Sequence, residues 1–182
     1  MIFFRIDLSN SHGLGHYNRI RSLIKYLNLK KYKIVIDKLP KNFFFKSEEK
    51  NIITLYENKK NFLDEKTDAS LFSKIIKNRY SNSIVIKDSY RLGFQWEKLI
   101  YKNCKKIISI EDFVEKKHFV DCYINHSPIF SDKNKEVLNK LKNNNKKSCD
   151  FLLGPDYGLF NSVYNKKKKN YFRLCFLQWW FR

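Results

Sequence analysis

Ile2-Phe3-Phe4-Arg5-Ile6-Asp7-Leu8-Ser9-Asn10-Ser11-His12-Gly13-Leu14-Gly15-His16 is the stretch that decides the fold. Ile2 to Ile6 is a short, mostly apolar run of the kind that forms a strand, and a glycine-bearing turn follows it. Beyond the turn, Ile20, Leu23, Ile24 and Leu27 recur at i, i+3, i+4 and i+7, the spacing of one apolar helical face. A strand, a glycine turn and an amphipathic helix in that order open an α/β fold with a parallel sheet.

The same alternation continues outward. Lys33 to Asp37, Ile52 to Tyr56, Ser83 to Ile86, Lys106 to Ile110, Cys122 to Asn125 and Phe151 to Leu153 read as further strands. Helices are expected around Leu71, Ile75 and Ile76, and around Trp96, Leu99 and Ile100. Asp132 to Ser148 is rich in Lys and Asn with few apolar positions (Val137, Leu138, Leu141), and reads as a short exposed helix fading into a loop. The fold expected is a Rossmann-like parallel sheet flanked by helices, spanning residues 1–165. Residues 166–182 then form a lysine-rich linker and an aromatic tail.

Composition narrows the function classes. With 182 residues, 43% of them hydrophobic, the chain can bury a core, which excludes collagen, a disulfide scaffold and a wholly disordered chain. The net charge of +19 raises nucleic acid or an anionic membrane as partners. Only seven of the basic residues are Arg, however, and thirty are Lys. Readers of nucleic acid lean on Arg for bidentate contacts, so neither nucleic acid nor membrane is the expected partner. Cys104, Cys122, Cys149 and Cys175 form no C-x-x-C pair, which disfavours a zinc or redox motif. The apolar start is broken at once by Arg5 and Asp7, unlike a signal peptide, and no apolar run reaches the roughly 20 residues of a membrane span. A cytoplasmic protein is the expectation.

Chemistry is expected where the first strand meets the first helix. Glycines there let a ligand approach the backbone, and a helix N-terminus favours anions. One reading is a dinucleotide fingerprint with Asp37 at the end of the second strand, but Asn18 stands in place of the third Gly. The turn also carries His16. At a helix N-terminus the dipole disfavours imidazolium, so His16 reads either as a neutral general base or as a capping or core residue. His12 reads as a loop residue, and Arg5 with Asp7 as a structural ion pair or as groups that orient the loop. Asp88-Ser89-Tyr90-Arg91 follows another strand at its carboxyl end, where such sheets bind ligands. Tyr90 there either holds a substrate group or packs beside Trp96. Glu111-Asp112 ends the next strand, to bind sugar hydroxyls or to cap a helix. With no D-x-D and no H-E-x-x-H, the motifs give no support to a metal mechanism.

Taken in order, these pieces resemble the nucleotide-sugar hydrolases of pseudaminic acid biosynthesis and their relatives among spore-coat polysaccharide proteins, within the GT-B superfamily. The resemblance runs from Ile2 to about Tyr164. It is carried by Arg5-Ile6-Asp7 leading to Gly13-Leu14-Gly15-His16 and Arg19, then Asp88-Ser89-Tyr90 and Ile110-Glu111-Asp112. His118 with Asp121 and Asn125 follows, and Leu153-Gly154-Pro155-Asp156-Tyr157 closes it. Glu111 stands where the family more often has Asp, and Gly158 where it has Ala. The resemblance implies hydrolysis of a UDP-linked 2,4-diacetamido-2,4,6-trideoxy sugar by water attack at the anomeric carbon, with inversion and without metal or other cofactor. It implies that His16 activates water, and that Arg5, Asp7, Gly13, Gly15, Arg19, Asp88, Tyr90, Asp112 and Tyr157 bind substrate. The same half-site serves an acceptor in GT-B glycosyltransferases, and a basic module without catalysis is a third class.

The resemblance also implies a second, UDP-binding domain, entered through a strand and a turn close to F-G-G-[ST]-D. This sequence instead ends Leu177-Gln178-Trp179-Trp180-Phe181-Arg182. Tryptophan has a single codon, so Trp179-Trp180-Phe181 is TGG-TGG-TTY. Read one base later, those bases spell Gly-Gly, and the flanking codons permit Phe-Asn before it and Ser-Asp after it. A frameshifted, truncated end is therefore the expectation, with little activity from the chain alone.

Overall fold

Seven parallel strands form one sheet in the order β3-β2-β1-β4-β5-β6-β7 in the computed structural model, which describes residues 1–8, 14–39, 49–56, 63–77, 82–130 and 135–158. The strands are β1 (Ile2–Ile6), β2 (Tyr32–Ile36), β3 (Ile52–Thr54), β4 (Ile84–Asp88), β5 (Lys106–Ile110), β6 (Cys122–Asn125) and β7 (Asp150–Leu153). The helices are α1 (Gly15–Tyr26), α2 (Glu65–Lys77), α3 (Phe94–Ile100) and α4 (Lys135–Asn144). The fold is a Rossmann-like α/β sheet, as the alternating pattern predicts. The expected domain limit at 165 and the tail 166–182 lie outside the described residues.

Strand alternation sorts the core into two layers. Phe4, Ile6, Leu8, Ile34, Ile36, Ile86, Ile108 and Ile124 point to the face covered by α1, where they pack with Ile20 and Leu23. Phe3, Val35, Val85, Ile107 and Tyr123 point the other way, onto Phe72 and Ile76 of α2, Trp96 and Ile100 of α3 and Leu141 of α4. α2 begins much earlier than its apolar residues suggest. Asp64 supplies the cap, its Oδ1 accepting the backbone N–H groups of Lys66 at 2.9 Å and Thr67 at 3.0 Å.

β1 is the switch point of the sheet. From it the chain steps one way to β2 and β3 and the other way to β4 and beyond. A crevice opens at such a point at the carboxyl ends of the strands, here between the ends of β1 and β4. Among the described residues no helix is long and apolar enough to cross a membrane. Cys104, Cys122 and Cys149 carry free thiols, each pushed up by burial.

Candidate functional site

Adjacent residues of a strand point to opposite faces, and at the carboxyl ends of β4 and β5 both members of each pair are polar. Asp88 and Asp112 turn toward α1, whereas Lys87 and Glu111 turn toward α3. Two polar groups result, back to back across the sheet.

The α1 group brings together His16, Arg19, Asp88, Tyr90 and Asp112. His16 is the second residue of α1, and its Nδ1 lies 2.7 Å from Asp88 Oδ1. Since the carboxylate only accepts, Nδ1 carries the proton and the neutral ring keeps its lone pair on Nε2. Among the described residues no group hydrogen-bonds to Nε2. Arg19, one helical turn on, sits with Nε 3.0 Å from Asp88 Oδ2 and Nη1 3.2 Å from Asp112 Oδ1. Tyr90 donates its hydroxyl to Asp112 Oδ2 and lays its ring edge-on to His16, 4.7 Å between centroids.

Electrostatics favours charge on the imidazole. Burial alone would lower the His16 pKa, but the hydrogen bond and the negative charge of Asp88 outweigh it, and the pKa is raised above 6.5. This corrects the expectation from the helix dipole, because a carboxylate in direct contact exceeds the partial charge of a helix end. Tyr90 is pushed up to about 12, first by burial and then by the Asp112 carboxylate, so it stays a phenol that donates. Asp112 is held below its ordinary value despite burial, by the Tyr90 hydroxyl and the Arg19 guanidinium.

The α2/α3 group is deeper. Arg5 is fully buried, with Nε and Nη2 on the Asp68 carboxylate at 3.1 and 2.5 Å. Its Nη1 lies 3.6 Å from Asp7, so the ion pair read from the sequence exists, but Asp68 is the nearer partner. Asp7 accepts from Ser89 Oγ at 2.5 Å and from Arg91 Nη2 at 3.1 Å, and Arg91 Nη2 also reaches Asp68 at 3.1 Å. Trp96 Nε1 donates to Asp68 at 2.8 Å. Beside this lies Lys87, fully buried, with Nζ 2.6 Å from Glu111 and 2.9 Å from Glu97. His118 Nδ1 is 2.9 Å from Glu97 as well. Burial would raise the Glu97 pKa, but Lys87 and His118 hold it down at about 2.

Glu97, Glu111 and His118 place ligand atoms within 4.8 Å of one another, the spacing a metal ion uses. The Lys87 ammonium already fills the cation's place between the two carboxylates. A single positive charge with fixed partners thus does there what a bound metal would do.

The remaining sequence candidates separate. Gly15 is exposed, and a Cβ built on it meets nothing within 4 Å, so the backbone is open to a ligand. Gly13 and His12 lie outside the described residues. Tyr157 is half-buried after β7 and packs on the α1-side core. Asp37 places Oδ1 on the Leu8 backbone N–H at 3.1 Å, which ties the end of β2 to the exit from β1. Asp121 Oδ2 accepts the Ile107 N–H at 2.8 Å, and Asn125 Oδ1 accepts the Ser127 N–H at 2.9 Å.

Sequence reasoning missed several neighbours of the site. Lys116 donates to the Tyr90 carbonyl. His126 Nδ1 stands 3.7 Å from Asp112. Phe113 lays its ring against Tyr90 at 5.2 Å. A signal existed for two of them, since both follow a strand's carboxyl end by one to three residues. No family model, curated protein or solved structure matches the chain.

Proposed function

We propose that the α1-side group is half of a nucleotide-sugar hydrolase site, acting on a UDP-linked 2,4-diacetamido-2,4,6-trideoxy sugar. The observation that carries this reading is the His16–Asp88 pair at the switch point of the sheet, with one imidazole nitrogen engaged and the other without a hydrogen-bond partner among the described residues. That is the arrangement of a general base oriented by a carboxylate. In the step, Nε2 of His16 takes a proton from water as the water oxygen bonds to the anomeric carbon. The bond from that carbon to the β-phosphate oxygen breaks, and its electron pair leaves on UDP. Attack from the side opposite the leaving group inverts the centre.

The other residues fit supporting roles. The N-terminal amides of α1, beside the open backbone at Gly15, suit the diphosphate. Arg19 holds Asp88 and Asp112 in place, and Tyr90 sets the inner wall against the imidazole. Arg5 and Asp7 act from beneath, fixing the strand end that leads into the turn.

The test is release of UDP from the sugar nucleotide, with the chain in excess so that slow turnover registers. Release that vanishes in His16→Asn, with oxygen from labelled water appearing on the sugar, is the expected result. Release unaffected by His16→Asn overturns the reading. Transfer to an added sugar hydroxyl in preference to water would make the site that of a glycosyltransferase.

A further inference from the structure

Among the described residues, most large apolar side chains that are strongly exposed cluster at one end of the sheet. Among the described residues, Leu14, Leu39, Phe113 and Ile129 follow β1, β2, β5 and β6, and only Leu99 lies elsewhere. Phe113 differs from the others in how firmly it is held. Its own carbonyl accepts the Tyr123 hydroxyl at 2.7 Å. Two residues earlier, the Glu111 N–H bonds to the Ile124 carbonyl at 2.9 Å, and between them Asp112 is gripped by Arg19 and Tyr90. On the other side Val114 packs against the core. Every neighbour is anchored, yet Phe113 as a residue remains 50% exposed.

A ring left in water on a rigid loop has a face to offer, and its position defines to what. Phe113 stands edge-on to Tyr90, and Tyr90 stands edge-on to His16, at centroid distances of 5.2 and 4.7 Å. The three rings form a file from the buried imidazole outward to solvent. Leu14, 46% exposed, lies two residues before His16. The mouth of the polar group thus carries apolar surface beside its charges, the mixture that binding sites for small amphiphilic molecules use.

We infer that Phe113 is a specificity-determining residue, an apolar platform that reads the methyl groups of the sugar. This inference rests on the hydrolase reading and adds to it. A sugar whose hydroxyls are replaced by a C6 methyl and two acetamido methyls presents apolar patches that ordinary hexoses lack. Aromatic surface rewards the burial of each patch, and one methyl in a fully apolar pocket changes selectivity by about 10- to 200-fold. Phe113 forms one wall rather than a pocket, so its share is expected at the lower end of that range.

The experiment is equilibrium binding to the full chain of three ligands: the UDP-linked diacetamido-trideoxy sugar, UDP-N-acetylglucosamine and UDP. Wild type is expected to prefer the trideoxy sugar, and Phe113→Ala to lose about tenfold of that preference. Phe113→Leu, which keeps apolar surface, is expected to retain most of it, and UDP binding stays unchanged in both. Circular dichroism confirms that the variants fold, since the residue replaced is half exposed. An unchanged preference in Phe113→Ala overturns the proposal and leaves the hydrolase reading standing. So does an equal loss for all three ligands. Self-association of wild type that Phe113→Ala abolishes would assign the ring to a protein contact instead. A wild-type chain that binds neither sugar nucleotide defeats both readings.

Discussion

The two faces of the sheet at its carboxyl end carry similar residues in opposite circumstances. On the α2/α3 face, Arg5, Asp68, Lys87, Glu97 and Glu111 have essentially no exposure, and each charge has a partner of opposite sign within 3 Å or so. On the α1 face, Arg19 keeps 12% and Asp112 29% of its side chain in solvent, and among the described residues nothing bonds to the imidazole Nε2. Buried charges must be paired, because an unpaired ion in the interior is far costlier than any local gain. Among the described residues Glu111 Oε2 and His118 Nε2 also have no hydrogen-bond partner, but both residues lie buried, where they face no solvent. The difference teaches that charge at a strand end is not by itself a site. Solvent access at Arg19 and Asp112, not an unused polar atom, distinguishes the α1 face.

The largest expected effect would break this contrast if it failed to appear. Lys87→Met leaves Glu97 and Glu111 facing each other without a cation, and is expected to cost about 3–5 kcal/mol of unfolding free energy in urea titrations. Replacing all three by apolar residues of similar size should restore most of that loss. A cost below about 1 kcal/mol for Lys87→Met would mean that the layer is not held by its pairing.

Next comes the orienting carboxylate on the other face. Asp88→Asn removes the main group that raises the His16 pKa, and is expected to slow UDP release about a hundredfold. Its distinctive sign is a His16 titration that moves to lower pH, read by NMR. A loss of rate with an unmoved titration would make Asp88 a merely structural residue.

Protons separate the two faces by sign. His16 has a raised pKa, so its contribution to stability is present below 6.5 and is lost as pH rises through the raised folded value. The base function runs the other way, and UDP release is expected to increase across the same interval. Glu97 has a depressed pKa, so its contribution is present above its ordinary 4.5 and is lost as pH falls toward about 2. Acid unfolding should therefore weaken in Glu97→Gln, measured as stability against pH. An acid limb identical in that variant would place the sensitive carboxylates elsewhere.

The smallest effect sharpens the idea of an open backbone. Gly15→Ala adds a Cβ into empty space at the first residue of α1, and is expected to leave stability unchanged or raise it by about 1 kcal/mol at most. Binding of the sugar nucleotide should nevertheless weaken, since the methyl stands where a ligand meets the helix end. Unchanged binding would move the diphosphate away from Gly15.

Local pattern by itself determined the sheet and the position of the crevice. Ile2 to Ile6, the glycine turn and the face of Ile20 and Leu23 are contiguous signals, because strand alternation and helical period are properties of neighbours in the chain. They place His16 at the start of the first helix and Asp88 at a strand end without any structure. Other features were partly legible. The run read as Ser83 to Ile86 continues through Lys87 to Asp88, since a lysine inside a central strand looks like the strand's end until its partners are known. Only the tertiary structure brought Glu97, Glu111 and His118 around that lysine, and Asp68 under Arg5 and Arg91. Those residues come from different elements, and the energy that joins them depends on burial and distance, which no local period encodes. The same reason governs the sign of the His16 shift: a helix end is visible in sequence, but a carboxylate contributed by a distant strand is not.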